Sequence, residues 1–231
     1  MSDQQFFDLS HTIYDGLETY KGLPKVAICD FLSRSQSEDH YGPGMTFQLD
    51  TITMVGNSGT YLDSPFHRFE DGKDLSELRL DQIGNLDYVI IHSPANAPNH
   101  GVPLSAFDGV DVKGKAVLLH TGWDKYWNTE PYFEGNSFLS MEAATWLHNE
   151  GAALVGIDSL NIDDTSGGLR PVHTLLLGND IPIIEHLTGL ETVPTSTGQK
   201  STGPKSTGKF FAIPPKMKRV GTFPVRAFVL I

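Results

Sequence analysis

Asp63 and His67 stand four residues apart with Pro65 between them, inside a segment running from Gly56 to His67 that reads Gly-Asn-Ser-Gly-Thr-Tyr-Leu-Asp-Ser-Pro-Phe-His. Proline locks φ and removes a backbone donor, which argues against a regular helix here and leaves loop geometry to fix the two side chains. A carboxylate and an imidazole held on so rigid a turn suit ligands or proton carriers around a reacting centre, and the segment reads as an active-site loop.

Two further residues carry chemistry on physical grounds. Glu185 lies in the apolar run Ile-Pro-Ile-Ile-Glu-His-Leu, where an isolated carboxylate is costly to bury, so a partner is expected: a metal ion, or His67. Tyr61 is either a phenol donor that polarises a substrate carbonyl or a packing residue. Trp123, Tyr126 and Trp127 beside Gly122 form an aromatic cluster suited to lining a pocket for a flat substrate or to filling core. The remaining histidines, among them His11, His92, His120 and His186, lack a paired motif and read as structural or solvated.

Short strands and few helices must position these groups. Residues 46–55 alternate apolar and polar types with β-branched enrichment, which predicts a half-buried strand leading into the loop. Residues 88–92 and 116–120 are compact apolar runs bounded by Gly, Pro or Asp, as expected of interior strands. Ser140 can cap a helix over 141–150 that Gly151 ends, and residues 153–158 read as the next strand. Strand, helix, strand predicts a βαβ crossover and an α/β fold with its functional edge at strand ends such as Asp158 and Ser159.

The Gly56–His67 segment resembles the motif His-x-Gly-Thr-His-x-Asp-x-Pro-x-His of the cyclase family, the group of bacterial kynurenine formamidase and isatin hydrolase. Gly59, Thr60, Asp63, Pro65 and His67 fall in place, whereas Asn57 and Tyr61 stand where the family has two histidine ligands. The likeness extends to Phe-Asp-Leu-Ser-His at 7–11, to His173 and Glu185 twelve apart, and to closing segments at 210–214 and 224–227. It implies a mixed, partly barrel-like β-sheet with surrounding helices and a homo-oligomer, dimer or tetramer. It also implies one divalent ion, Zn²⁺ or Mn²⁺, on Asp63, His173 and Glu185, with His67 moving protons. Otherwise His67 is a structural histidine, His173 a helix-start residue, and the site holds no metal.

Composition bounds the rest. At 231 residues and 39% hydrophobic content, the chain suits one cyclase-like domain over 1–231. No basic leader precedes an apolar stretch and no apolar run approaches the ~18 residues of a membrane span, so a cytoplasmic protein without a membrane partner is expected. The single cysteine, Cys29, reads as a buried, inert thiol. Net charge is −11, but the seven basic residues from Lys200 onward meet no acids, so residues 1–199 carry 10 bases against 28 acids, or −18. An acidic body repels phosphate backbones, which makes nucleic acid a poor partner. The basic tail is expected to dock on that body or a sister subunit, or else to lend Arg219 or Arg226 to a substrate carboxylate.

Residues 195–208 repeat Ser-Thr-Gly three times and read as a low-complexity loop without apolar residues to bury. Residues 203–209 mimic a phosphate-cradling loop, but Phe210 replaces the Ser/Thr that would hold Mg²⁺. The leading expectation is hydrolysis of an amide, formamide or lactam bond of a small molecule by metal-activated water. The rivals are a metal-free cyclase, dehydratase or isomerase, and an inactive ligand-binding homologue.

Overall fold

A computed structural model describes residues 4–94, 99–194 and 208–231; the 195–208 loop, apart from Gly208, lies outside the described residues. The strands are β1 Phe6–Asp8, β2 Ala27–Leu32, β3 Leu49–Thr53, β4 Tyr61–Asp63, β5 Gly84–Leu86, β6 Tyr88–His92, β7 Gly101–Val102, β8 Ala116–His120, β9 Phe138–Leu139, β10 Leu154–Ile157, β11 Ile183–Glu185, β12 Lys209–Phe211, β13 Thr222–Pro224 and β14 Phe228–Leu230. The helices are α1 Arg34–Tyr41, α2 Leu80–Ile83, α3 Met141–Asn149 and α4 Pro171–Gly178.

The central sheet has the order β13-β4-β11-β10-β8-β6. Strands β6, β8, β10 and β11 run parallel, and β4 pairs antiparallel to both β11 and β13. The crossover β8–α3–β10 forms as expected, with Ser140 accepting from the Ala143 N–H at the start of α3. Successive side chains of a strand point to opposite faces, and that alternation splits the core in two. Leu62, Leu118, Leu154 and Ile184 face a smaller antiparallel sheet, β1-β14-β12-β5, and meet Phe7, Leu86, Phe210 and Val229. Val117, Leu119, Val155, Ile157 and Ile183 face the other way, against Leu147 of α3 and Val172, Leu176 and Leu177 of α4. The result is a layer order of small sheet, central sheet, helices.

Four expectations need correction. Among the described residues no sheet closes on itself, so the α/β fold is open rather than partly barrel-like. Among the described residues strand β6 is the edge of the central sheet and not interior, and it pairs there with β8. The strand within 46–55 forms, as β3, but its residues are exposed because it pairs with β2 alone in a two-stranded ribbon. Cys29 lies on that ribbon and is exposed, not buried. The basic tail does dock on the acidic body: Arg226 grips Asp8 through two hydrogen bonds of 2.8 and 2.6 Å, and Lys209 pairs with Asp87. The Arg226 guanidinium is thus engaged by Asp8. Among the described residues no helix is long and apolar enough to cross a membrane.

Candidate active site

Register brings the motif together. Tyr61 and Asp63 are two apart on β4 and share a face; Glu185 of β11 sits opposite Tyr61, and Thr222 of β13 opposite Asp63. All four therefore project on the side that Ile183, the other neighbour of Asp63, presents to the helix layer. The chain enters β4 through Gly59, whose φ of 64° is left-handed and whose Cβ, if present, would lie 2.8 Å from Ile13 Cγ1. It leaves through a single 3-10 turn, Pro65–His67, with proline at the position where a missing N–H costs nothing. That turn carries His67 back over Asp63.

His173 arrives from the facing helix. Asp163 accepts the N–H groups of Val172 (2.7 Å) and His173 (3.0 Å) at the start of α4, so it caps the helix. The same carboxylate lies 2.7 Å from His173 Nδ1, which takes up that nitrogen and turns Nε2 toward the sheet. Nε2 lies 3.6 Å from Asp63 Oδ2 and 3.5 Å from Glu185 Oε1. Asp63 Oδ1 accepts from the Thr222 hydroxyl at 2.7 Å, whereas its Oδ2 is buried with no hydrogen-bond partner. Glu185 Oε1 accepts from the Ile162 N–H at 2.6 Å; its Oε2 accepts from the Tyr61 and Tyr20 hydroxyls. His67 Nδ1 is 2.8 Å from Thr222 Oγ1 and 3.8 Å from Asp63 Oδ1. The His67 side chain is 36% exposed against 5% for His173 and 0% for Asp63, so the cluster opens to solvent at His67.

The electrostatics follow from burial and crowding of charge. Burial alone would lower the His173 pKa, but Glu185, Asp163 and Asp63 outweigh it and hold the imidazole up at about 10. Burial pushes Glu185 up to about 7, with His173 pulling the other way. Burial and the Glu185 charge drive Tyr61 and Tyr20 well above the ordinary phenol value, so both stay neutral donors. His186, next in the chain, adopts φ 58° and is buried and neutral, its Nδ1 2.7 Å from the Tyr132 hydroxyl and its Nε2 3.3 Å from that of Tyr20. Trp127 meets His186 edge-on and stacks on His11 at 3.9 Å between ring centroids, so the aromatic cluster borders the site.

The structure thus brings Asp63, His67, His173, Glu185 and Tyr61 into one cluster. Glu185 finds its partners in His173 and Tyr61 rather than in His67. Sequence reasoning missed Asp163, Thr222, Tyr20 and Tyr132. None of the four carries a local signal: Asp163 lies well upstream of Arg170, the residue at the N-cap position of α4, and reaches the helix start only through the fold. The donors fit a divalent cation. Single ligand atoms of Asp63, His67 and His173 lie within 4.8 Å of one another, and a buried carboxylate oxygen without a donor, facing an imidazole nitrogen, is what a cation would satisfy. That group offers one oxygen and two nitrogens, a set that suits Zn²⁺; it contains His67 where the family resemblance implies Glu185, whose Oε1 lies 3.5 Å from His173 Nε2.

Comparison with known proteins agrees with this geometry. A kynurenine formamidase from Erythrobacter litoralis is 26% identical over 196 residues, 84% of this chain and 83% of its own length; one from Bacillus cytotoxicus is 23% identical over 196 residues, covering 81% and 84%. In fold, the chain resembles an isatin hydrolase bound to the product analogue thioisatinate, with a TM-score of 0.79, 20% identity and coverage of 99% and 93%. Isatin hydrolase A from Ralstonia solanacearum gives 0.79 at 19% identity, covering 99% and 92%. The family model described as "Putative cyclase" matches residues 7–164, well over half of the sequence, and the chain belongs to that family.

Proposed function

We propose that this protein is a metal-dependent hydrolase of C–N amide bonds in small molecules, with formamides and lactams of aromatic amines as the substrate class. The observation that carries the reading is the bare, buried Oδ2 of Asp63 facing His173 Nε2 while His67 alone among the cluster opens outward. Asp63 Oδ2, His173 Nε2 and Glu185 Oε1 would hold one Zn²⁺ or Mn²⁺, which supplies Lewis acidity and brings the pKa of a ligated water from about 15.7 toward ~7.

The chain's own groups do the rest. His67 takes a proton from the attacking water as oxygen adds to the carbonyl carbon, and returns it to nitrogen as the C–N bond breaks. Tyr61 donates a hydrogen bond from its hydroxyl to Glu185 Oε2 and so orients that carboxylate. The stacked His11 and Trp127 rings, both half-buried, offer a flat apolar wall beside the reacting centre, and relatives that are kynurenine formamidases support an aryl substrate.

Hydrolysis of N-formyl aryl amines, isatin-like lactams and cyclic imides by Zn²⁺- or Mn²⁺-loaded protein tests the proposal. His67→Ala should lower kcat by roughly 10²- to 10⁴-fold, the usual contribution of a general acid–base. Equal rates in wild type and variant would reject it.

A further inference from the structure

We infer that Thr222, in the C-terminal segment beyond the family match, is the positioning residue that allots the working atoms of both Asp63 and His67; this rests on the reading of His67 as the acid–base group. The Thr222 Oγ1 lies 2.7 Å from Asp63 Oδ1 and 2.8 Å from His67 Nδ1. A hydroxyl has one proton to give. The Thr222 hydroxyl donates that proton to Asp63 Oδ1, so Thr222 must receive a proton from His67 through its lone pair. His67 is therefore protonated on Nδ1 in its neutral form, which leaves Nε2 as the unprotonated atom. One side chain thereby sets two assignments: Oδ1 of Asp63 is engaged and Oδ2 is free, Nδ1 of His67 is engaged and Nε2 is free.

The fold puts Thr222 there by register and by a close approach. β13 pairs antiparallel with β4 so that Thr222 is the direct cross-strand neighbour of Asp63. Gly221 precedes it, and a Cβ at that position would lie 2.5 Å from the His67 nitrogen and 2.7 Å from its Cα. Only glycine lets the strand pass this near the Pro65–His67 turn. The Gly221 carbonyl also accepts from the Ser64 N–H at 2.8 Å and from its hydroxyl at 3.0 Å, which pins the strand to the turn that carries His67. Thr222 is itself 6% exposed, so water does not replace its hydroxyl cheaply.

The test compares Thr222→Val, which keeps shape and removes the hydroxyl, with Thr222→Ser, which keeps the hydroxyl. In the Zn²⁺-loaded protein, Thr222→Val should lower kcat by about ten- to a hundredfold, the scale of a misoriented catalytic group, with KM changed by less than about threefold. Thr222→Ser should recover most of the loss. Nitrogen NMR of ¹⁵N-histidine-labelled protein reads the assignment independently of turnover: wild type and Thr222→Ser should show His67 with a protonated Nδ1 and a bare Nε2, and Thr222→Val should lose that preference. Unchanged kcat together with an unchanged tautomer in Thr222→Val, or a serine variant as impaired as the valine one, would overturn the inference. If His67→Ala instead leaves hydrolysis intact, the acid–base reading falls while the NMR result still decides whether Thr222 sets the tautomer.

Discussion

The Nε2 of His173 stands 3.6 Å from Oδ2 of Asp63, a buried oxygen that no described group hydrogen-bonds. A protonated imidazole and a divalent cation are the two ways to satisfy that oxygen, and they compete for the same space. With the His173 pKa raised from 6.5 to about 10 by Glu185, Asp163 and Asp63 against the opposing pull of burial, the metal-free protein holds a proton there at neutral pH.

Ion uptake must expel that proton, because only the neutral imidazole ligates. The proton is fully bound below the ordinary histidine value and is lost as pH rises through the raised one, so Zn²⁺ affinity climbs with pH, by about tenfold per unit from neutrality toward 9. Glu185, pushed up to about 7 by burial, adds a second released proton below neutrality. Titration calorimetry in buffers of different ionisation enthalpy should record about one proton released per ion near pH 8. No proton released would remove His173 from the ligand set.

Asp163 joins two tasks that are separable by measurement. It caps α4 and holds His173 Nδ1. Asp163→Asn should weaken Zn²⁺ binding by roughly 10- to 100-fold in competition with a chelator, the usual effect of losing a carboxylate behind a ligating histidine. Asp163→Ala, which removes the cap as well, should also destabilise the fold by about 0.5–2 kcal/mol in denaturant unfolding. Unaltered metal affinity would mean that helix packing alone orients the ring.

Local chemistry was readable from the sequence, and layer membership was not. Ser140 and Gly151 bracket α3 because capping depends on neighbours within a turn. Asp63 and His67 were visible because one proline-bearing turn carries both, and His173 with Glu185 because of a family resemblance. Thr222 lies 159 residues from Asp63, and no short-range pattern connects them. The alternation at 46–55 is the same whether or not a further layer covers the strand, which is why β3 reads as half-buried in the sequence and is exposed; Cys29 reads as buried from residue type alone and lies on the same ribbon. Barrel closure likewise depends on which strands pair at the sheet edges, and β6 and β13 end the central sheet unpaired with each other.

The β2–β3 ribbon leads to a prediction about assembly. A two-stranded ribbon is marginally stable by itself, and this one exposes Phe31 at 74% and Ile52 at 57%. A second copy of the chain is the expected cover, in keeping with the association that the family resemblance implies. Light scattering after size exclusion should give twice the chain mass or more for the wild type, and the monomer mass for Phe31→Asp combined with Ile52→Asp. A monomeric wild type, or a double variant that still associates, would place the contact elsewhere or remove it.

The two departures from the family motif make the sharpest test of ion number. Asn57 and Tyr61 stand where the motif has histidines. The Tyr61 hydroxyl donates to Glu185 Oε2, and the Tyr20 hydroxyl, 2.6 Å from the Leu160 carbonyl, lies 3.2 Å from the same carboxylate oxygen. That arrangement engages Oε2, while Oε1 accepts the Ile162 N–H and keeps a lone pair for ligation, and in the metal-free protein burial keeps the Tyr61 phenol protonated. One ion per chain should therefore remain on wild-type protein after Zn²⁺ loading and desalting. Asn57→His combined with Tyr61→His replaces two neutral hydrogen-bonding groups by two imidazole nitrogens and frees Oε2, and elemental analysis should then find about two ions per chain. Tyr61→Phe alone frees the oxygen without adding a ligand, so its stoichiometry should stay at one while affinity falls as Glu185 loses its orienting donor. Should the double-histidine protein fold, by circular dichroism, and still retain a single ion, then something other than the substituted motif limits the site to one, and Tyr20, which keeps its own contact to Glu185, becomes the next residue to replace.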